Sequence, residues 1–304
     1  MIDRRIKFRH IQCFVEISRL RSMKSAAERL LLTQPAISKT LKELETLLGA
    51  DLMTRSRAGI SLTKQGEVFL HFAEMSLAAL QQGMDGVERE GEARSARVKV
   101  GVLPSVAARL MPLVAQEFSE LSNSSRLEIS DGPVSYLIQK LRNGELDLVV
   151  GRQAPPDTMK GIAFTQLYNE TVDFVVRPKH PLLQAPDLAR IGEWQVIYPS
   201  EHSAIRPLVE RYLIANGVGE LPNKLETVSG AFGRVYTPRS DAVWIISSGV
   251  VANEIDNGML CRLPFDTTMT NGPVGLMMKA STNPSSEQKI FSIAVDNIVR
   301  SQGL

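Results

Sequence analysis

From residue 8 to about residue 92, apolar side chains return every three or four positions, the period of a helix with one buried face. Ile11, Phe14 and Val15 predict a first helix over about residues 8–20. Ala26, Ala27 and Leu30 predict a short second one whose small apolar face lets another helix cross closely. Thr33 stands where the third helix needs a cap, and Pro35 sits just inside its start, where a missing N–H costs nothing. Ile37, Leu41, Leu44 and Leu48 then repeat at intervals of 4, 3 and 4, and Gly49 ends the run. Gln34, Ser38, Lys39 and Lys42 fall on or near the opposite, polar face. Leu52 with Met53, and Ile60 with Leu62, read as two short strands around a basic turn that carries Arg55 and Arg57. From residue 66 to about residue 92 there is no proline, and Leu70, Ala73, Leu77, Leu80, Met84 and Val87 are spaced 3, 4, 3, 4 and 3. That spacing is an a/d seam, which predicts a partner helix and favours a dimer. Gly83 and Gly86 weaken its far half, and GEARSAR reads as a hinge.

Beyond residue 98 the rhythm changes to strand-like and helical stretches in alternation. RVKVGVL, a helix over 105–121, RLEIS, a helix ending at Gly144 and ELDLVVG make a βαβαβ series, which argues for a parallel sheet with helices on its faces. IAFTQLY and TVDFVVR follow. A second series then contains QVIYP, KLETV and AVWIIS with helices after each, and PVGLMMK and a last helix close the chain. The expected fold class is α/β with an all-α winged head, divided at residues 1–65, 66–92 and 93–304. The last segment splits into a lobe of about 93–166 with 269–304 and a lobe of about 167–268, with ligands expected between them, beyond the carboxyl ends of the strands.

Of the 304 residues, 43% are hydrophobic and 22% charged, a globular composition with room for two or three cores. The net charge of +2 hides an asymmetry: residues 1–65 hold 13 Lys/Arg against 6 Asp/Glu, and the remainder 22 against 27. A basic head on an acidic body is an electrostatic footprint of nucleic-acid binding. No membrane-length apolar run and no signal-peptide pattern is present, and Cys13 and Cys261 form no metal or redox motif, so a cytoplasmic protein is expected. No cofactor or metal is expected, since G-x-S-x-G, P-loop, H-E-x-x-H and paired-cysteine spacings are all absent.

A short helix, a turn and a second helix with amide, hydroxyl and ammonium groups outward suits the major groove of double-stranded DNA. Thr33, Gln34, Pro35, Ser38 and Lys39 would face base edges or the adjoining backbone, with Lys42, Arg55, Arg57 and Lys64 on phosphates. The segment AAERLLLTQPAISKTLKELETLLGADLMTR resembles the DNA-binding segment of the LysR-type transcriptional regulators, in its AA pair, its [ST]-Q-[PS]-[AP]-[LIV]-S run at residues 33–38 and its LE-x-x-LG run at 44–49. GVLPSVAARLMP and LRNGELDLVVG resemble that family's effector domain, which has the two-lobed fold of periplasmic solute-binding proteins. The head and SDAVWIISSGVVA look closest to the branch holding the protocatechuate-pathway (pca operon) and galactose-binding-protein regulators.

The resemblance implies a linker helix pairing antiparallel with its twin, and a tetramer on an interrupted inverted repeat. It also implies RNA polymerase as a partner and a small-molecule effector in the cleft. Ser105, between the first strand and the first helix, is either a plain helix cap or an effector contact, and in the family this position usually touches the effector. Where Val134 stands the family often has Ser or Thr, so that contact passes to Ser135. Ser200, His202 and Ser203 follow a strand of the second lobe, and Thr227, Ser229 and Phe232 follow another. Hydroxyls near helix starts and a nearby imidazole suit an anion such as a carboxylated ring-cleavage product. A sugar is the alternative, and an enzyme on a solute-binding fold would leave the basic head unexplained.

Overall fold

The computed structural model describes residues 5–56, 59–88, 97–122, 125–201 and 203–304. The chain forms two compact units, Met1–Arg94 and Ser95–Leu304.

The first unit runs α1 (Phe8–Leu20), α2 (Met23–Arg29), α3 (Gln34–Leu48), β1 (Met53–Ser56), β2 (Gly59–Leu62) and α4 (Lys64–Glu88). Ser22 caps α2 by accepting from the Ser25 N–H (3.2 Å), Thr33 caps α3 by accepting from that of Ala36 (3.4 Å), and Gly49 leaves α3 at φ +66°. Phe14, Ile17, Ala26, Ile37, Leu44 and Leu52 fill the core between the helices. Cys13 lies in it, and burial pushes its thiol up to about 11, so it remains an S–H that donates to the Ile37 carbonyl. Glu45 accepts from the Leu52 and Met53 N–H groups (2.9 and 3.2 Å), which pins the β1–β2 hairpin to α3. At Gly66 a Cβ would lie 2.0 Å from the Leu52 carbonyl oxygen, so only glycine lets α4 start this close to the hairpin.

The structure revises the seam on α4. Ala73 is buried in the head's own core, and Leu70 and Leu77 pack against it. Phe69 meets Phe14 edge-on at 5.3 Å, and Arg19 of α1 pairs with Glu74 (3.0 Å). The first half of the stripe thus serves the head itself, because α1 offers the nearest apolar surface. Leu80 and Met84 are exposed, and the side chain of Val87 lies outside the described residues. Val68 and Phe72, 63% and 59% exposed, carry a second apolar line on another face of α4.

The second unit contains β3 (Arg97–Val102), α5 (Pro104–Arg109), α6 (Met111–Leu121), β4 (Arg126–Asp131), α7 (Val134–Asn143), β5 (Leu148–Arg152), β6 (Ile162–Glu170), β7 (Val172–Val176), β8 (Val196–Tyr198), α8 (Arg206–Ala215), β9 (Lys224–Glu226), α9 (Gly230–Tyr236), β10 (Val243–Ser247), α10 (Ser248–Asp256), β11 (Cys261–Arg262), β12 (Gly272–Lys279) and α11 (Ser286–Ser301). Two five-stranded sheets result, in the orders β4-β3-β5-β12-β6 and β11-β7-β10-β8-β9. In the first, β3 runs parallel to β4 and β5, and β12 returns antiparallel. In the second, β8 is parallel to β9 and β10. The chain crosses between sheets once after Glu170 and again between Arg262 and Gly272.

The single helix expected over 105–121 is two. Pro112 supplies no N–H for the Ala108 carbonyl four residues earlier, so the helix breaks at Leu110, and Ala108 accepts instead from the Asn253 amide (3.4 Å). The break lets α5 lie along α10 in the other lobe.

Candidate functional site

The exposed start of α3 presents Thr33, Gln34 and Pro35, followed one turn later by half-buried Ser38 and exposed Lys39, then exposed Lys42. A groove of about 1020 Å³ runs between α3 and the segment entering α1. It brings Arg5, Lys7 and Arg9 beside Pro35, Ser38, Lys39 and Lys42. Five cations along one groove are an anion track, and the polar α3 side chains at its edge can reach base edges. Glu43 sits in the same groove, 3.6 Å from Arg9 and 3.4 Å from buried His10 Nε2. Arg5, Lys7 and Arg9 come from the charge-dense opening RRIKFRH, a signal visible in the sequence. Arg55 lies on β1 opposite Ile60, and Arg57 falls outside the described residues. Lys64 begins α4 beside an apolar groove lined by Leu48, Leu52, Val68 and Phe72, not beside the basic one.

In the second unit the ends of β3 and β10 meet where α5 packs on α10. A Cβ at Gly249 would lie 2.6 Å from Glu170 Oε1 and 3.0 Å from the Ser105 carbonyl, so the approach requires glycine there. Ser105 is buried. It is not the cap of α5, because Leu103 holds that position, and its side chain lies beside the Glu170 carboxylate at Gly249. The Gly249 N–H donates to the same carboxylate (3.2 Å), and Arg152 stands 3.5 Å away. Burial raises the Glu170 carboxyl, against the pull of Arg152, of Ser105 and of the Gly249 N–H.

The other expected effector residues divide. Val134 is buried in a hydrophobic core cluster of the lobe and offers only methyl groups, whereas Ser135 beside it is exposed. Ser200 is half-buried, and His202 lies outside the described residues. Ser203, Thr227 and Ser229 each accept a local N–H, from Ile205 (3.4 Å), Ser229 (3.0 Å) and Phe232 (3.2 Å), which leaves each hydroxyl proton to donate elsewhere. Phe232, 38% exposed, stacks on Tyr236 at 5.0 Å. Arg206 and Arg234 hold internal carboxylates, Glu210 with Glu226 (2.6 and 3.0 Å) and Glu254 (2.7 Å) respectively. Among the described residues no group of three His, Cys, Asp or Glu is placed to hold a metal ion.

Residues 8–67 match the model of the bacterial regulatory helix-turn-helix protein, lysR family, and residues 91–292 match that of the LysR substrate binding domain. The chain belongs to the LysR family. It is 48% identical over 298 residues, 97% of this chain and 96% of the relative, to the HTH-type transcriptional regulator PcaQ of Agrobacterium fabrum. It is 33% identical over 296 residues, covering 97% and 96%, to the uncharacterized regulator YdcI of Escherichia coli. Among solved structures, full-length CbnR complexed with its target DNA shares the fold with a TM-score of 0.53 at 20% identity, over 97% of this chain and 100% of that one. The protein is a LysR-type transcriptional regulator, close to the pca-operon regulators, and its relatives are regulators and not enzymes. The helix-turn-helix and the two-lobed α/β unit are as the sequence predicted, and no described helix is long and apolar enough to cross a membrane.

Proposed function

We propose that this LysR-type regulator reads an interrupted inverted repeat in double-stranded DNA through the α3 faces of a dimer. Thr33, Gln34, Pro35, Ser38 and Lys39 lie at or near base edges, and Lys42, Arg55 and Arg57 on phosphates, joined by Arg5, Lys7 and Arg9. In this reading residues 1–65 are the DNA-binding head, 66–92 the pairing helix and hinge, and 93–304 the effector domain. The dimer forms through the outer faces of α4, where Leu80, Met84, Val68 and Phe72 stand exposed, and two dimers make a tetramer that meets RNA polymerase in the cytoplasm. The effector is a small anion, a carboxylated product of aromatic ring cleavage. It is held between the lobes by Ser105 and Ser135 on one side and by Ser200, Ser203, Thr227 and Ser229 on the other, with Phe232 against its carbon skeleton.

The 48% identity to PcaQ across both domains carries this reading. The hydroxyls at the ends of the parallel strands support it, each with a proton left to donate. The test is fluorescence anisotropy of the full chain on DNA from the intergenic region beside its own gene, with and without 3-carboxy-cis,cis-muconate, the tricarboxylate formed by opening protocatechuate between its hydroxyls. The anion is expected to shift affinity or footprint at micromolar concentration. A shift produced by galactose and not by the tricarboxylate would replace the anion with a sugar.

A further inference from the structure

Ser105 and Glu170 converge on Gly249: a Cβ at that glycine would lie 3.3 Å from Ser105 Cβ and 2.6 Å from Glu170 Oε1. Glu170 ends β6 at the point where the chain leaves the first sheet, and its side chain is 1% exposed. Gly249 of α10 donates to its Oε1, so the carboxylate joins both lobes. Arg152 of β5 lies 3.5 Å from its Oε2 and donates to the Glu170 and Thr270 carbonyls (2.9 and 3.3 Å), and Thr270 in turn accepts from the Val172 N–H (2.9 Å). One guanidinium therefore clasps both strand crossings. The other charges facing this carboxylate are Arg109 of α5 and the hydroxyl of Tyr168 on its own strand, and Asp173 of β7 beyond them pairs with Arg262 of β11 (2.7 Å).

We infer that capture of an anionic effector at Ser105 is proton-linked through Glu170, which makes Glu170 a positioning residue for the ligand. The inference rests on the Ser105 site proposed above. A ligand carboxylate that accepts from the Ser105 hydroxyl turns that O–H dipole away from Glu170 and adds a second negative charge beside it. Both effects favour the neutral acid. Glu170 takes one proton from solvent, and its new O–H donates to Ser105 Oγ, whose own O–H donates to the ligand. No charge builds up and no donor is lost, and the ligand stays ionised. Burial holds the Glu170 carboxyl above the ordinary range. A neutral sugar hydroxyl can donate to Glu170 as it stands and calls for no proton.

Two measurements on the full chain decide it. The first needs no ligand: glutamate labelled with carbon-13 at Cδ, the Glu170 signal being assigned by its loss in Glu170→Gln. Its midpoint is expected above that of an ordinary glutamate and higher still in Ser105→Ala. An unmoved midpoint in Ser105→Ala overturns the coupling whatever the effector is. The second is titration calorimetry with 3-carboxy-cis,cis-muconate, fully ionised above about pH 6, in buffers of low and high ionisation enthalpy. The binding heat is expected to depend on the buffer, and affinity to fall by up to about tenfold per pH unit as pH rises. Glu170→Gln, which can donate to Ser105 Oγ at every pH, should bind without either dependence. Binding that needs Ser105 but releases the same heat in every buffer overturns the proton link and leaves the site standing. Binding indifferent to Ser105→Ala, or none at all, overturns the site instead, and the ligand-free titration still decides the coupling.

Discussion

His180 shows how a single side chain can make a lobe sensitive to acid. It is fully buried, its Nδ1 accepts from the Leu182 N–H (3.2 Å), and Nε2 lies 3.1 Å from the Asp241 carbonyl. Burial lowers its pKa below the ordinary 6.5. A depressed base contributes stability that is present above the ordinary value and is lost as pH falls through the folded value. Urea unfolding followed by the fluorescence of Trp194, which packs on the imidazole at 5.0 Å, should therefore show the second unit weakening below about pH 6.5. His180→Gln should flatten that slope. Glu170 and Asp173, both raised by burial, act in the opposite sense: their contribution is complete below the ordinary carboxylate value and is lost as pH rises. Comparing each variant with the parent at every pH separates the two.

Leu31, in the turn before α3, is 92% exposed at φ +55°, a left-handed conformation that costs a non-glycine residue about 1–2 kcal/mol. Leu31→Gly should raise the stability of the head by about 1 kcal/mol, read from its urea midpoint. At the DNA face, Gln34→Ala should cost about 1–3 kcal/mol on the operator and little on random DNA. An equal loss on both would remove its base-reading role.

Among the elements, α4 carries one apolar stripe with two obligations along its length. Leu70, Ala73 and Leu77 hold the helix to α1, and Leu80 and Met84 stand free of that core. Leu80→Asp with Met84→Asp should leave the head folded by circular dichroism while the mass in solution falls and operator affinity drops, since two carboxylates would be buried unpaired between helices. Leu77→Asp should instead destabilise the head itself by several kcal/mol, because its carboxylate would press against the head's apolar core. Equal effects from the two substitutions would mean that both halves of the stripe serve the same core. The broken α5–α6 pair is also an element-scale device. Without Pro112 a continuous helix would satisfy Ala108 internally and remove the reason for Asn253 to reach across to it.

For the whole molecule, the charge asymmetry becomes a measurable salt dependence. Arg5, Lys7, Arg9, Lys39 and Lys42 line one groove, and each phosphate they neutralise adds about 0.9 to the slope of log affinity against log salt. Lys42→Ala should reduce the slope by about that amount per head, on operator and random DNA alike. The head was legible in the sequence because its information is local. A helical period, a Thr33 cap, a proline at the start and a glycine at the end specify α3 within seventeen residues of chain, and the physics that selects them acts over one turn. The two-lobed unit was legible for the same reason: each βα step is written in consecutive residues. Two things were decided only in the tertiary structure. An amphipathic stripe states that a face will be buried but not against what, so Leu70, Ala73 and Leu77 became part of the head core once α1 lay beside them. The Ser105, Arg152, Glu170 and Gly249 cluster joins residues up to 79 apart in one bond, across two sheets. No period or spacing encodes it, because a buried carboxylate is stable only where donors from several elements converge, and that convergence exists only after the chain has crossed between the lobes.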